Sequence, residues 1–567
     1  MRPSLIRTKS QRYGLLLAAV TVAAYAPVFR ASFAFDDVEA LVNNTALFQA
    51  RLWRLFFTSD YFRLTLEASY RPAVTLSYLL DHAVWGFRPF GWHLTNVALH
   101  LACVGCLWAL LRQWALAPAA AFVGAAAFAL HPVHVEPVAS PGFREDVISA
   151  LGLLAMALLM GLWRGGRAPT RVAAGLGFAA VFGAQMAKEN ALMAPALAAA
   201  LAWADPWPQG AERGGFRRAW PFLSAVALAT VVSACIRFML LVDMNTPPPR
   251  PLTPSFARTA AYAPWIYAEH GLAPVLWPVR LRPDRVVNMA QAPLLGALGG
   301  WVVVGLMGGA VVALGRFWRR GSAGLLWYGL AWAPTSNLAA LFNPAAERYA
   351  YLPDIGLAML LGMGASALAE RIAAVQPPRQ GLRRLGEDAS ALGATVLLVA
   401  LGALTFQQAR LWKDPATLWS HALALEPSSV PARNSLAYLE WTEGQKAKSR
   451  GDREAAEAHL KKAFRLFREA LEINPNDKQV LYNYGSALAE IGAYDRAEPM
   501  LRRVVQEFPN DPKANHNLGC LYAARYPPDK DKALQCLLRA KELGFPENEE
   551  ALKALQAEVE GQRKADQ

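Results

Sequence analysis

Charge is what this chain has least of. Of its 567 residues 18% are charged and 54% are hydrophobic, whereas a soluble protein carries charge nearer about a quarter. That deficit excludes an ordinary soluble fold over most of the length. Cysteine is scarce too: there are five, and Cys103, Cys106 and Cys235 fall inside apolar runs, so no disulfide framework is indicated. Cys103 and Cys106 form a CxxC, but within a span a thiolate is costly, which argues against redox chemistry. Duplicated halves and matched broken helices are missing, which argues against a transporter. The net charge of +13 calls for no nucleic acid, because most of the arginine excess lies in short loops between apolar runs.

What is present is a succession of Ala-, Leu-, Val- and Gly-rich runs from Tyr13 to about Phe406. Runs of this kind, near 20 residues with few charges, read as spanning helices. Eleven candidates begin near Tyr13, Trp92, Pro118, Phe143, Val172, Ala191, Ala219, Pro293, Ala323, Leu352 and Ala389. The first follows Arg2, Arg7, Lys9 and Arg12 and lacks a clean small-x-small end, so it reads as an uncleaved span. With the basic N-terminus placed inside, Arg112, Arg164–Arg171, Arg213–Arg218, Arg316–Arg320 and Arg371–Arg384 fall in loops on the same side. An odd count puts the C-terminal region outside.

The opposite side collects acids, bases and amides. Its loops hold Asp36 and Asp37 in "FAFDDVEALVNN", "HPVHVEPVASPGFRED" (131–146), "KEN" (188–190), a Pro-rich stretch near 247–254, and "NPAAERYAYLP" (343–353). Ionisable residues at membrane depth are expensive and mark function by default. One outward-facing site is therefore expected, against the plainer alternative of solvated turns.

From about Leu411 the chain turns charged, Ala-rich and helical. Gly485 and Gly519 are 34 residues apart, as are Pro475 and Pro509, and Ala497 and Leu501 take the small and bulky positions of a tetratricopeptide repeat. "LWSHALALEP" reads as the second helix of an earlier repeat. "SLAYLEW" and "AFRLFREALEINP" read as another, widened by a charged insert, Gly444 to Glu457. Three to four hairpins stacked into a short solenoid are expected, with a surface for extended protein segments. Cys520 and Cys536 lie on paired helices, as a disulfide or, more ordinarily, as thiols. The fold class is all-α: a polytopic helical membrane domain over residues 1–410, then an α-solenoid over 411–567.

Taken together, "FAFDDVEALVNN", "SYRPAVTLSYLLDHAVWGFRPFGWHLTNVALH", "HPVHVEPV", "KEN" and "ERYAYLPDIG", in that order and followed by repeats, resemble the transmembrane and tetratricopeptide-repeat family of protein O-mannosyltransferases. The resemblance covers essentially the whole chain. It implies a GT-C type glycosyltransferase fold and a polyprenyl- or dolichyl-phosphate sugar, usually mannose, as co-substrate. It implies Ser/Thr acceptors on proteins, and a catalytic acid in the first outer loop. No cofactor or metal is expected. The compact Ala- and Arg-rich chain reads as bacterial, with the motif loops and repeats on the periplasmic face of the inner membrane; in a eukaryote the face is lumenal. The repeat array is short compared with many relatives.

The chemistry then distributes roles. Direct attack by an acceptor hydroxyl needs one base, donors for the departing phosphate and a groove for the lipid. Asp36 is the expected base, with Asp37 assisting or orienting it. Arg348, whose guanidinium grips two phosphate oxygens, and Lys188 are the expected phosphate contacts, joined by Arg144, His131 and His134. Glu189, Glu347, Arg71 and Glu136 support them. Glu347 is a candidate partner for Arg348, and Lys188 is expected to pair with Glu189, another acid or the donor phosphate. His131, His134 and Glu136 have a weak metal-ligand spacing, which Pro132 and Pro137 interrupt. A non-catalytic membrane scaffold, and a GT-C enzyme acting on a lipid or glycan, remain as rival readings.

Overall fold

The computed structural model describes residues 3–44, 47–48, 56, 58, 60–65, 69–204, 215–243, 261–283, 294–337, 343, 345–375, 380–545 and 549–565. The Pro-rich stretch at 247–254 lies outside them. The chain divides into two compact units, Met1–Leu418 and Trp419–Gln567.

Eleven helices of the first unit occupy the eleven places expected: Pro3–Ala24, Pro89–Gln113, Pro118–Ala129, Glu145–Arg164, Thr170–Ala187, Ala194–Ala204, Gly215–Asp243, Leu294–Phe317, Arg319–Trp332, Tyr351–Ala373 and Gln380–Leu411. A further helix, Pro72–Trp85, precedes the second of these. Among the described residues six helices are long and apolar enough to cross a membrane. A pair bent by 49°, Pro118–Ala129 with Pro132–Ala139, makes a seventh if it is one span. Two of the others are too short: at about 1.5 Å per residue, the 11 residues of Ala194–Ala204 and the 14 of Arg319–Trp332 cannot cross a core about 30 Å thick.

The outward faces suit lipid. Leu295 and Phe317, on the Leu294–Phe317 helix, are 81% and 77% exposed, a bareness that water would not tolerate. The chain is an integral, multi-pass membrane protein. Inside the bundle small residues let backbones touch, as expected where lipid supplies no hydrophobic drive between helices. A Cβ added to Gly356 would meet the Gly324 carbonyl oxygen at 2.3 Å, and one on Gly124 would meet that of Ala358 at 2.6 Å.

Proline sets where helices stop. Pro132 and Pro141 each open a short 3-10 turn, at Pro132–His134 and Pro141–Phe143, with Val135–Ala139 between them. Lacking an N–H, proline cannot continue the helix ladder, so the backbone breaks repeatedly between residues 130 and 144. A second break falls at Lys188, whose backbone is extended (φ −154°, ψ 145°) between Thr170–Ala187 and the turn Glu189–Met193. These breaks bring polar residues to the helix ends.

The second unit is a stack of hairpins: Val430–Ser449 with Arg453–Ile473, Lys478–Glu490 with Tyr494–Glu507, and Pro512–Ala524 with Lys530–Glu542, followed by Glu549–Ala565. Aspartates 452, 477, 511 and 529 accept from backbone N–H groups at the helix starts, satisfying donors the helix cannot. Gly485 and Gly519 lie at the crossings, where added Cβ atoms would meet Leu501 at 3.0 Å and Leu537 at 2.8 Å. The charged insert is helical apart from the turn at 450–452. It lengthens both helices of its hairpin, to 20 and 21 residues against 13 and 14 in the next. Cys520 and Cys536 are both free thiols.

Candidate functional site

The loop after the first helix divides its two acids. Asp37 is 1% exposed. Its Oδ1 accepts from the Ser140 hydroxyl at 2.7 Å and the Gly142 N–H at 2.6 Å, and its Oδ2 from the Ala34 N–H at 3.2 Å. Burial pushes its pKa up to about 7 against the pull of these three bonds, and Asp36 adds a smaller upward push. Asp36 is exposed. Phe35, just before the pair, has φ 56°. A bulky residue in the left-handed region costs on the order of 1–3 kcal/mol and persists only where its surroundings hold it. Here the holders are Phe143 and Trp412, with ring centroids 5.2 Å and 6.3 Å away.

A row of alternating charges gathers the other motifs. The Arg348 guanidinium pairs with Glu136 through Nη1, and the Arg348 backbone N–H donates to the same carboxylate at 2.8 Å. The guanidinium carbon stands 4.0 Å from the Phe143 ring centroid and 5.4 Å from that of Tyr349. Lys188 Nζ lies 2.5 Å from Asp146, 3.6 Å from Glu145 and 5.5 Å from the Tyr349 ring. Arg71 bridges Glu145 and Glu189, each at 3.4 Å. Arg237 completes the row on Glu189 at 2.5 Å. Burial raises the Glu189 carboxyl, but the guanidinium groups of Arg71 and Arg237 outweigh it and hold it below the usual range.

The fold decides the pairings, and one expected pair is corrected. Arg348 takes Glu136, not its neighbour Glu347, whose carboxylate instead accepts from the Arg282 backbone N–H at 2.6 Å. Lys188 takes Asp146 and Glu145, while Glu189 serves Arg237 and Arg71. Arg144 stands apart from the row: fully buried, it meets Asp81 at 2.6 Å and lies over the rings of Tyr78 and Trp92. A phosphate would have to displace that partner. His131 and His134 are buried and bonded to backbone, His131 to the Val275 carbonyl at 2.9 Å and His134 to that of Phe128 at 2.8 Å. His134 also faces Asp354 at 3.2 Å. No His/Cys/Asp/Glu group among the described residues has the makings of a metal site.

Sequence reading missed Arg237, Asp81, Asp354, Ser140 and Gly142. A lone charge in an apolar run, as in "ACIRFML" or "SYLLDHAVW", is the signal for the first two. Ser140 and Gly142 carry none, since their part is to donate hydrogen bonds to an acid about a hundred residues away.

The arrangement has two chemical features. The acids Glu136, Glu145, Asp146 and Glu189 each face a cation within 4 Å, whereas the described partners of Asp37 are neutral donors. The acids of the row are thus held by charge, and Asp37 by neutral hydrogen bonds. Of the Arg348 guanidinium nitrogens, Nη1 is the one with a described hydrogen-bond partner, which leaves donors for an anion.

Residues 452–518 match the tetratricopeptide repeat family. Over 145 residues the chain is 34% identical to the protein O-mannosyl-transferase TMTC2 of Mus musculus and to that of Homo sapiens, covering 25% of this chain and 17% of each relative. It is 34% identical over 160 residues to the Homo sapiens protein O-mannosyl-transferase TMTC4, covering 25% of this chain and 22% of that one. The matches thus span about a sixth to a fifth of those relatives' length. Among solved structures, ArnT from Cupriavidus metallidurans bound to undecaprenyl phosphate aligns over 85% of this chain and 79% of its own at 15% identity, with a TM-score of 0.35.

Proposed function

We propose that this protein is a membrane glycosyltransferase of GT-C type. It moves a sugar, mannose by similarity to the protein O-mannosyl-transferases, from a polyprenyl or dolichyl phosphate to Ser/Thr hydroxyls of proteins at the outer face. One observation carries the reading: an exposed acid, Asp36, beside a row of cations at the ends of apolar helices. An acceptor, a base and an anionic lipid headgroup meet most readily at such a place.

Asp36 takes the proton of the acceptor hydroxyl as its oxygen attacks the anomeric carbon. The carbon–oxygen bond to phosphate breaks, the lipid phosphate leaves with the electron pair, and the anomeric configuration inverts. No glycosyl-enzyme forms, so one carboxylate suffices, unlike the paired acids of glycosidases. Asp37, held by the Ser140–Gly142 turn, fixes the loop that carries Asp36. Arg348 and Lys188 receive the departing phosphate, with Glu136, Glu145 and Asp146 holding them in place. The repeats offer the acceptor protein a binding surface.

The test incubates purified protein in lipid with dolichyl-phosphate mannose or undecaprenyl-phosphate sugars and Ser/Thr peptides, and reads products by mass spectrometry. A sugar on the peptide that depends on Asp36 supports the reading. A sugar on lipid or glycan alone moves the acceptor. No transfer from any donor leaves a scaffold.

A further inference from the structure

The acid loop and the phosphate-binding cations come from distant parts of the chain, yet one ring touches both. We propose that Phe143 is a positioning residue that sets the spacing between the acid pair and the Arg348 guanidinium. The inference rests on the reading of Asp36 as base and Arg348 as phosphate contact.

Phe143 is 3% exposed and ends the short turn Pro141–Phe143. Its ring meets the Phe35 ring edge-on, centroids 5.2 Å apart and planes at 63°. The Arg348 guanidinium carbon stands 4.0 Å from the same ring's centroid, within reach of the attraction between a cation and an aromatic face. The residues just before it, Ser140 and Gly142, hold Asp37 at 2.7 Å and 2.6 Å. One rigid turn therefore grips the acid loop at Asp37 and at Phe35, and supports Arg348. The Phe35 contact matters most for aim, because the left-handed backbone of Phe35 (φ 56°) determines how the chain enters Asp36. Arg348 has a second anchor, since Glu136 holds both its backbone N–H and its guanidinium. Loss of the ring should thus disturb the base more than the phosphate site.

The test compares Phe143→Leu, Phe35→Leu, the double variant and Phe143→Tyr, each checked for an unchanged melting midpoint in lipid. Transfer from dolichyl-phosphate mannose to a Ser/Thr peptide gives kcat, and binding of dolichyl phosphate gives donor affinity. Phe143→Leu should lower kcat by about 10- to 100-fold, the scale of a small misplacement of reacting groups. Donor affinity should stay within about threefold, because Glu136 keeps its charge-assisted bonds to Arg348. The double variant should lose no more than the worse single one, since both substitutions break one contact. Phe143→Tyr, which keeps the ring, should recover most of the loss.

Unchanged kcat in Phe143→Leu, multiplying losses in the double variant, or a loss confined to donor binding each overturns the proposal. Failure of the underlying reading looks different: then the wild type transfers no sugar, or Asp36→Asn turns over normally, and the inference falls with it.

Discussion

The membrane unit and the repeat unit are both built from helices, and both contain ion pairs near 2.5 Å, yet those pairs do opposite work. Lys188 and Asp146 meet at 2.5 Å with side-chain exposures of 8% and 1%. In the repeats Lys461 and Glu457 meet at 2.6 Å with exposures of 76% and 68%. Distance does not distinguish them; desolvation does. A buried partner left alone has no water to fall back on, while an exposed one barely notices its loss. The repeats therefore spend charge on solubility and helix faces. The membrane unit sets much of its buried charge in pairs, such as Lys188 with Asp146 and Arg144 with Asp81, whose members satisfy each other.

The sharpest test of that contrast is Asp36→Asn. It preserves shape and removes the base, so turnover with dolichyl-phosphate mannose should fall roughly 100- to 10,000-fold, the range of general-base contributions. Donor affinity should survive or tighten, because a carboxylate near phosphate serves the transition state. Normal turnover would strip the acid pair of its catalytic role.

Next comes the fully buried pair. Asp81→Ala leaves Arg144 without its partner at 2.6 Å in a site of 0% exposure for Arg144. The expected cost is about 3–5 kcal/mol of stability, read as a lowered thermal midpoint in nanodiscs. A midpoint close to wild type would mean that water reaches Arg144.

Asp37 gives a pH signature of intermediate size. Its folded pKa, about 7, lies above its ordinary value of 3.8, so between those values the folded state holds a proton that the unfolded state has released. Stability from this group is present below about pH 4 and is lost as pH rises toward 7, then levels off. Relative to wild type, Asp37→Asn should gain stability as pH rises from about 4 to about 7, and the gain should level off above that. A difference that stays flat with pH would show Asp37 ionised throughout.

The smallest effect belongs to the repeats. Lys461→Ala removes an exposed helical pair four residues apart and should shift the unfolding midpoint of the repeat unit by no more than about 0.5 kcal/mol in equivalent stability. A loss matching that of Asp81→Ala would erase the distinction between the units.

How much of this was legible in the sequence depends on the range of the forces involved. The 34-residue spacing of Gly485 and Gly519 located the hairpins, because each repeat makes mainly neighbouring contacts. The positions of eleven helices followed from apolar runs, though not which of them are long enough to cross, since apolar composition continues past breaks such as those at Pro132 and Lys188. The site's ingredients were legible as polar residues where lipid penalises them. Their partners were not: Arg348 looked to adjacent Glu347, and the fold gave it Glu136, 212 residues away.

The amino-acid order alone thus set what the solvent dictates: which stretches prefer lipid and which repeat in water. Only the tertiary structure decided who pairs with whom, that Asp37 is sealed while Asp36 stays open, and that the turn at Ser140–Phe143 joins acid to cation. The reason is physical. Hydrophobic preference belongs to a residue and its few neighbours along the chain, whereas hydrogen bonds and ion pairs depend on distances of a few ångströms that only the packed helices define.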